Sequence, residues 1–235
     1  MKTRERVQLQ PAFLLHQYEY RDTSRIVELF TREYGRVSAM AKGSRRPASK
    51  FHYSLRPFQE LLVSWSGGEL ATLTGVEQSG VAHSFQDDAL FSGYYLSELL
   101  LRLSAKRDPH PQVFDMYKKV LNELSVGASI ARSLRLFEKS LLEDLGYGLN
   151  LLTEVNSGQK VEPDCRYQYH IDRGPEISQS ENGTVHGSSL LSLANNDLGT
   201  AEALRDAKRI LRIAIDAHLG GRPLKSRQVM QALQR

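Results

Sequence analysis

The stretch that decides the fold is PFQELLVSWSGGELATLTGVE, residues 57–77. Phe58–Ser66 and Glu69–Glu77 are strand-like runs, and Gly67-Gly68 joins them. A Gly-Gly pair adopts the positive φ values of a tight hairpin turn, so the stretch reads as an antiparallel hairpin. Toward the N-terminus, SRIVELFTREYGRVSAMAKGS (24–44) places two more β-rich runs around the turn signal Tyr34-Gly35. VQLQPAFLLHQYEY (7–20) is apolar with partial alternation. Four to five short strands in about 75 residues, with few helix signals, predict a small closed barrel. Phe58 and Trp65, seven apart, are expected to face opposite sides of one strand.

Toward the C-terminus the period changes near residue 85. Leu90, Phe91, Tyr94, Leu96, Leu99, Leu100 and Leu103 recur at helical spacing until DPHP (108–111) breaks the run. Val113 to Leu124 predict a second helix ended by Gly127, and Ile130 to Leu145 a third stopped by Gly146 and Gly148. Residues 150–198 read as irregular, with RYQYHI as a short strand. In TAEALRDAKRILRIAIDAHLGG (200–221), Leu204, Ala207, Leu211, Ala214, Ile215 and His218 form one face. PLKSRQVMQAL starts a last short helix. The expected architecture is α+β: a barrel over residues 1–80, then a mainly α-helical domain over 81–235 with an irregular insertion.

The 235-residue chain is 40% apolar and 25% charged, an ordinary globular composition. Its net charge of +4 is unevenly spread: residues 1–80 carry +4, 81–204 carry −6 and 205–235 carry +6. Two basic ends around an acidic middle suggest a polyanion met by two surfaces. A single cysteine, Cys165, excludes an internal disulfide and fits a reducing compartment. The N-terminus MKTRERVQLQPAF lacks the apolar core of a signal peptide, and no apolar stretch approaches the ~20 residues of a membrane span. The expected location is the cytoplasm.

From Arg36 to Gln59 there are six cations (Arg36, Lys42, Arg45, Arg46, Lys50, Arg56) and no acid. Lys and Arg on a loop off a barrel neutralise phosphates and release counterions. Tyr34, Phe51, Tyr53 and Trp65 are near in sequence and offer stacking faces for single-strand binding; equally, the loop reads as solvated and the aromatics as core. Arg205, Lys208, Arg209 and Arg212 form a basic stripe on one helix face, followed by Arg222, Lys225 and Arg227, and suit phosphate contact or plain solvation. Arg132, Arg135 and Lys139 share a helix face beside Leu136, and suit an acidic peptide with an apolar end or snorkelling at a core edge. Asp164, Cys165, His170, Asp172 and His186 lack the paired spacings of structural zinc. No nucleotide-gripping loop, nucleophile elbow or metalloprotease signature occurs. Neither an enzyme nor a cofactor is expected.

The segments FLLHQYEYRDTSRIVELFTREYGRVSAMAKGSRR (13–46), LRPFQELLVSWSGGELATLTGVE (55–77), YYLSELLLRL (94–103), DPHPQVFDMY (108–117), LFEKSLLEDLGYGLNL (136–151) and HLGGRPLKSR (218–227) resemble the RecO family of bacterial DNA-repair proteins. The likeness runs in order from Phe13 to Arg227, with residues 39–45 and 219–227 its most specific parts. It implies an N-terminal five-stranded OB-fold barrel and a helical C-terminal domain. It also implies binding of single- and double-stranded DNA, strand annealing, and a mediator role on the nucleoid. In that role the family works with RecR to load the RecA recombinase onto DNA coated by single-strand-binding protein, whose acidic C-terminal tail docks on the helical domain. Arg132, Arg135, Leu136 and Lys139 are the candidates for that dock. Some members hold zinc with four cysteines; with Cys165 alone, this chain does not inherit that site. An RNA-binding barrel protein and a scaffold with no direct DNA role are the rival readings.

Overall fold

The computed structural model describes residues 6–81, 83–180 and 182–233; the first residues of the basic N-terminus and Arg235 of the basic C-terminal run lie outside them. β1 (Arg6–Tyr20), β2 (Ser24–Thr31), β3 (Gly35–Ala41), the short helix α1 (Lys50–Ser54), β4 (Glu60–Ser66) and β5 (Leu70–Gln78) form a closed barrel in the order β1-β2-β3-β5-β4. β1 is long enough to serve two neighbours: its C-terminal half pairs with β2 and its N-terminal half with β4. Register shifts at Val7/Gln10 and Leu14/His16 bend it around the barrel. A short parallel seam, Ser38–Met40 against Leu70–Thr72, closes the ring.

Strict alternation fills the interior. Leu61, Val63 and Trp65 of β4, Val27 and Leu29 of β2, and Val37, Ala39 and Ala41 of β3 point inward. The stretch expected as a mobile basic loop instead contains α1, whose Phe51 together with Leu55 enters the same core. Trp65 is fully buried, with the Tyr34 ring edge-on to it at 5.3 Å. Phe58 precedes β4 in the left-handed region (φ 61°) and is buried among Phe85 and Tyr94. The expected opposition of Phe58 and Trp65 across one strand is thus replaced by burial of both, in two different clusters.

α2 (Asp87–Leu103) and α3 (Pro111–Ser125) pack on the outside of the barrel. Phe13 and Phe30, which leave the barrel outward, are covered by Phe114 of α3 at 5.2 and 5.7 Å. The strap between these helices lies against the β2–β3 turn, where Gly35 (φ +60°) leaves room for the Asp108 backbone; a Cβ there would stand 1.9 Å from the Asp108 carbonyl oxygen.

Contacts divide the chain into two compact units: the chain up to Ala128 together with the segment from Leu224, and Ser129–Pro223. The second unit holds α4 (Ile130–Asp144), β6 (Arg166–His170), β7 (Gly174–Ile177), β8 (Val185–His186), α5 (Gly187–Ala194) and α6 (Ala201–His218), with a three-stranded sheet ordered β7-β6-β8. β6 falls on RYQYHI, which reads as a short strand; β7, β8 and α5 are additions to the segment expected to be irregular, and its four- and two-residue strands carry no periodicity long enough to read. His218, expected on the apolar face of α6, is exposed and stacks on Tyr147 at 3.7 Å; Ala203 and Ile210 complete the buried face instead.

α7 (Lys225–Leu233) belongs to the first unit, where Leu224 is buried. Glu98 of α2 caps it: the Lys225 and Ser226 N–H groups and the Ser226 hydroxyl donate to its carboxylate at 2.9, 2.8 and 2.6 Å. Burial opposes the charge on Glu98, but these three bonds and nearby Arg102 hold its carboxyl below the usual carboxylate range. A carboxylate whose folded pKa is depressed contributes stability above its unfolded value near 4.5, and that contribution is lost as pH falls through the lower folded value. Amide exchange in α7 is therefore expected to accelerate selectively below about pH 4.5. Glu98→Ala is expected to bring the same acceleration at neutral pH, at a stability loss of about 1 kcal/mol. Unchanged α7 exchange in that variant would exclude Glu98 as its anchor.

Candidate nucleic-acid interface

Paired residues on neighbouring strands share a face. With Val27, Leu29, Val37, Ala39 and Ala41 inward, the alternate positions of β2 and β3 look outward. Three rows result. Tyr20 pairs with Ser24, beside Lys42 at the end of β3; Tyr18, Ile26, Met40 and Thr72 form the middle row; His16, Glu28, Ser38 and Leu70 form the last. Tyr18 is 51% exposed.

The β1–β2 turn and the loop after β3 meet beyond the first row. Arg45 N–H donates to the Thr23 carbonyl at 2.9 Å, and Gly43 N–H to the Ser24 hydroxyl at 3.4 Å. Together they bound an open recess of ≈ 370 Å³ lined by Tyr20, Arg21, Met40, Lys42 and Arg46 among others. The Arg21 guanidinium lies over the Tyr20 ring at 5.3 Å. Arg21, Lys42 and Arg46 are exposed, and Arg45 reaches Glu19 at 3.4 Å. The recess thus combines three exposed cations with one half-buried tyrosine, Tyr20, and cations beside an aromatic ring are the means by which barrels grip single strands.

The remaining sequence candidates divide. Lys50 and Arg56 are exposed, the latter donating to the Tyr53 carbonyl at 3.1 Å. Arg36 is half-buried and donates to the Leu101 carbonyl at 2.7 Å, tying α2 to the barrel. Tyr34 immediately precedes β3 and Lys42 immediately follows it, so the strand's length, about 20 Å, lies between them; Tyr34 lines a different recess, beside Glu33 and Glu69. Trp65, expected as a stacking face, is core. Tyr18, Tyr20 and Arg21 escaped the sequence reading, although His16, Tyr18 and Tyr20 in HQYEY carry the period-2 signal of an outward strand face.

In the second unit, Arg205, Lys208, Arg209 and Arg212 of α6 are all exposed. Arg205 approaches Glu202 at 3.9 Å, Arg212 approaches Asp216 at 3.7 Å, and Arg209 donates to the Thr184 carbonyl at 3.3 Å. Such loose surface contacts leave a positive face. Lys225 is exposed on α7, whereas Arg227 packs over the Tyr95 ring at 5.4 Å and donates to its hydroxyl at 3.2 Å.

The peptide-docking face expected on α4 is engaged within its own unit. Arg135 is 7% exposed and pairs with Glu138 at 2.7 Å. Lys139, 6% exposed, donates to the Ala194 carbonyl and the Asn196 side chain, both at 2.8 Å. Arg132 donates to the Asn196 carbonyl at 3.0 Å, and Leu136 is half-buried. Arg132 and Lys139 thus clamp the α5–α6 connection, while Arg135 is paired within α4.

Among the described residues, no three His, Cys, Asp or Glu side chains converge as metal ligands. Burial and the Glu162 carboxylate push the Cys165 thiol up, away from the thiolate a metal needs. His170 pairs with Glu176 at 2.9 Å and His186 with Glu202 at 3.3 Å. These residues do not fit a thiolate zinc site. Hydrogen bonds hold the segment: the buried Glu154 carboxylate accepts from the Asn156 and Ser157 N–H groups and the Ser157 hydroxyl, which lower its pKa to about 2. No helix among the described residues is long and apolar enough to cross a membrane.

Residues 6–81 match the family described as Recombination protein O N terminal, and residues 86–228 match Recombination protein O C terminal. A protein of Methylococcus capsulatus named DNA repair protein RecO is 46% identical over 97% of this chain and 94% of its own length. Its namesakes from Aromatoleum aromaticum and Nitrosococcus oceani are 44% and 43% identical, covering 100% and 98% of this chain and 99% and 95% of their own.

Proposed function

Because the chain belongs to the RecO family of DNA repair proteins, we propose that it is a non-catalytic recombination mediator that binds single- and double-stranded DNA and anneals complementary strands. The observation that supports this best is the recess at the end of the β1–β2–β3 face, where Arg21, Lys42 and Arg46 stand beside Tyr20. Cations there take phosphates and release counterions, and Tyr18 and Tyr20 offer sequence-tolerant stacking. The partner roles follow the family: RecR as co-mediator, the acidic tail of single-strand-binding protein as a docking ligand, RecA as the recombinase loaded, and the cytoplasmic nucleoid as the place.

Annealing needs no active site. A basic surface that holds two strands screens their repulsion and raises their local concentration. The barrel recess takes one strand and the α6 stripe a second. Reversing the charge of Arg205, Arg209 and Arg212 is expected to slow annealing of complementary oligomers about tenfold or more while lowering single-strand affinity far less. Equal losses in both assays would sink the two-surface reading. Matched DNA and RNA oligomers in competition test the nucleic-acid class; preference for RNA would overturn the DNA assignment.

A further inference from the structure

The outer face of β1–β2 does not end at its last row. Beyond His16 and Glu28 it forms one wall of a groove of ≈ 590 Å³, whose other wall is α2 and α7. Tyr94 of α2 and Val229 of α7, 45% and 46% exposed, rim the groove opposite Tyr18. Arg36, Arg102, Lys106 and Lys225 line it against two carboxylates, Glu28 and Glu98. Both acids are already engaged. Glu28 accepts from the Ser38 hydroxyl at 2.6 Å and faces Lys106 at 3.9 Å, and Glu98 caps α7 with Arg102 nearby. Four cations against two acids leave the groove a net positive lining with aromatic and aliphatic rims.

Its position matters as much as its charge. The basic recess lies at the Tyr20 row and the groove at the His16 row of the same sheet face. Four residues along a strand separate them by about 13 Å, and the middle row between them presents Tyr18, Ile26 and Met40. Cations at both ends with an apolar, aromatic bridge suit a chain that alternates phosphates and flat bases. A groove of this volume accepts a ligand of one or two nucleotides. A duplex offers its phosphates to these cations but no unstacked base to the slot.

We propose that the groove between β1–β2 and α2–α7 is a second single-strand subsite, continuous with the barrel recess. Tyr94 and Tyr18 flank the base, and Arg102 and Lys225 take the phosphates. This rests on the nucleic-acid reading of the barrel. It assigns to the LKSR segment at the start of α7 a role in single-strand contact.

The test measures full-chain binding to labelled oligothymidylates of about 6 and about 14 nucleotides across a salt series, lengths within the range one such barrel covers. Lys225→Ala and Arg102→Ala remove one cation each. Val229→Trp fills the groove and leaves every cation in place. Each cation variant is expected to lose roughly fivefold affinity for the longer oligomer at about 0.1 M salt, with a salt slope shallower by about 0.7. Val229→Trp is expected to weaken binding of the longer oligomer similarly, and all three variants weaken binding of the shorter one as well, because about six nucleotides already span the ~13 Å between recess and groove. Thermal melts confirm that each variant is folded. If these variants bind both lengths like wild type while Lys42→Ala and Arg46→Ala lose affinity for both, the subsite is overturned and the barrel reading stands. If wild type itself binds weakly and without salt dependence, both fall. Capture of an acidic peptide in the groove without effect on the longer oligomer also overturns the proposal.

Discussion

Truncation of Trp65 to alanine is expected to destabilise the first unit by about 3–5 kcal/mol, read as a lower urea midpoint. The indole is fully buried inside the barrel, among Val63, Val37, Ala39 and Ala71 of its core. Its removal takes away the largest inward side chain of β4 and leaves a cavity that a closed, hydrogen-bonded ring of strands has little freedom to collapse into. Trp65→Phe, which keeps most of the volume, is expected to stay folded at urea concentrations that unfold the alanine variant. Trp65 is the sole tryptophan, so its emission reports on this site alone. The fluorescence is expected to be blue-shifted and unchanged by saturating single-stranded DNA. Strong quenching on binding, together with a small stability loss in the alanine variant, would return Trp65 to the surface as a stacking residue.

Simultaneous replacement of Arg21, Lys42 and Arg46 with alanine has the opposite character, with a large loss of binding at little change in stability. Each cation lies on the surface of the recess, and surface substitutions of this kind usually shift stability within about 0.5 kcal/mol. Three lost phosphate contacts should lower single-strand affinity by roughly two orders of magnitude at about 0.1 M salt. The slope of log affinity against log salt should become shallower by about 2. Wild-type binding that depends weakly on salt and survives the substitution would leave the recess a solvated surface. The protein would then be a scaffold whose basic faces meet acidic proteins.

Much of the barrel was legible because its strands are half-buried and alternate. Leu61, Val63 and Trp65 sit at every second position, and Gly67-Gly68 marks the turn. The long helices were legible for the same reason at period 3.6. β6 showed as RYQYHI, but β7, β8 and α5 did not, since strands of four and two residues and a helix of eight hold too few turns of any period. The basic stretch was visible, but its partition was not. Phe51 and Leu55 turned inward as part of α1 and its end, while Arg36 was drawn to the Leu101 carbonyl.

The stacking surface shows where linear proximity fails. Tyr34 and Trp65 lie near the cations in the sequence, yet β3 holds Tyr34 away from Lys42 and the barrel closes over Trp65. Tyr20 and Arg21 reach the cations through a separate strand pairing, fixed by the Tyr20–Ser24 register and the Arg45–Thr23 hydrogen bond. On α4, helical spacing correctly placed Arg132, Arg135 and Lys139 on one face. That the face clamps Asn196 depends on a connection more than fifty residues away.

Composition, periodicity, turn chemistry and family motifs, all read within windows of a few residues to a few turns, determined the barrel, the long helices and the broad DNA-repair assignment. Which cations remain in solvent, which aromatics face outward, and which strand ends meet to form one recess were decided by tertiary pairing. That information resides in long-range register and burial, where a residue's neighbours are set by the closure of the barrel and not by its position in the chain.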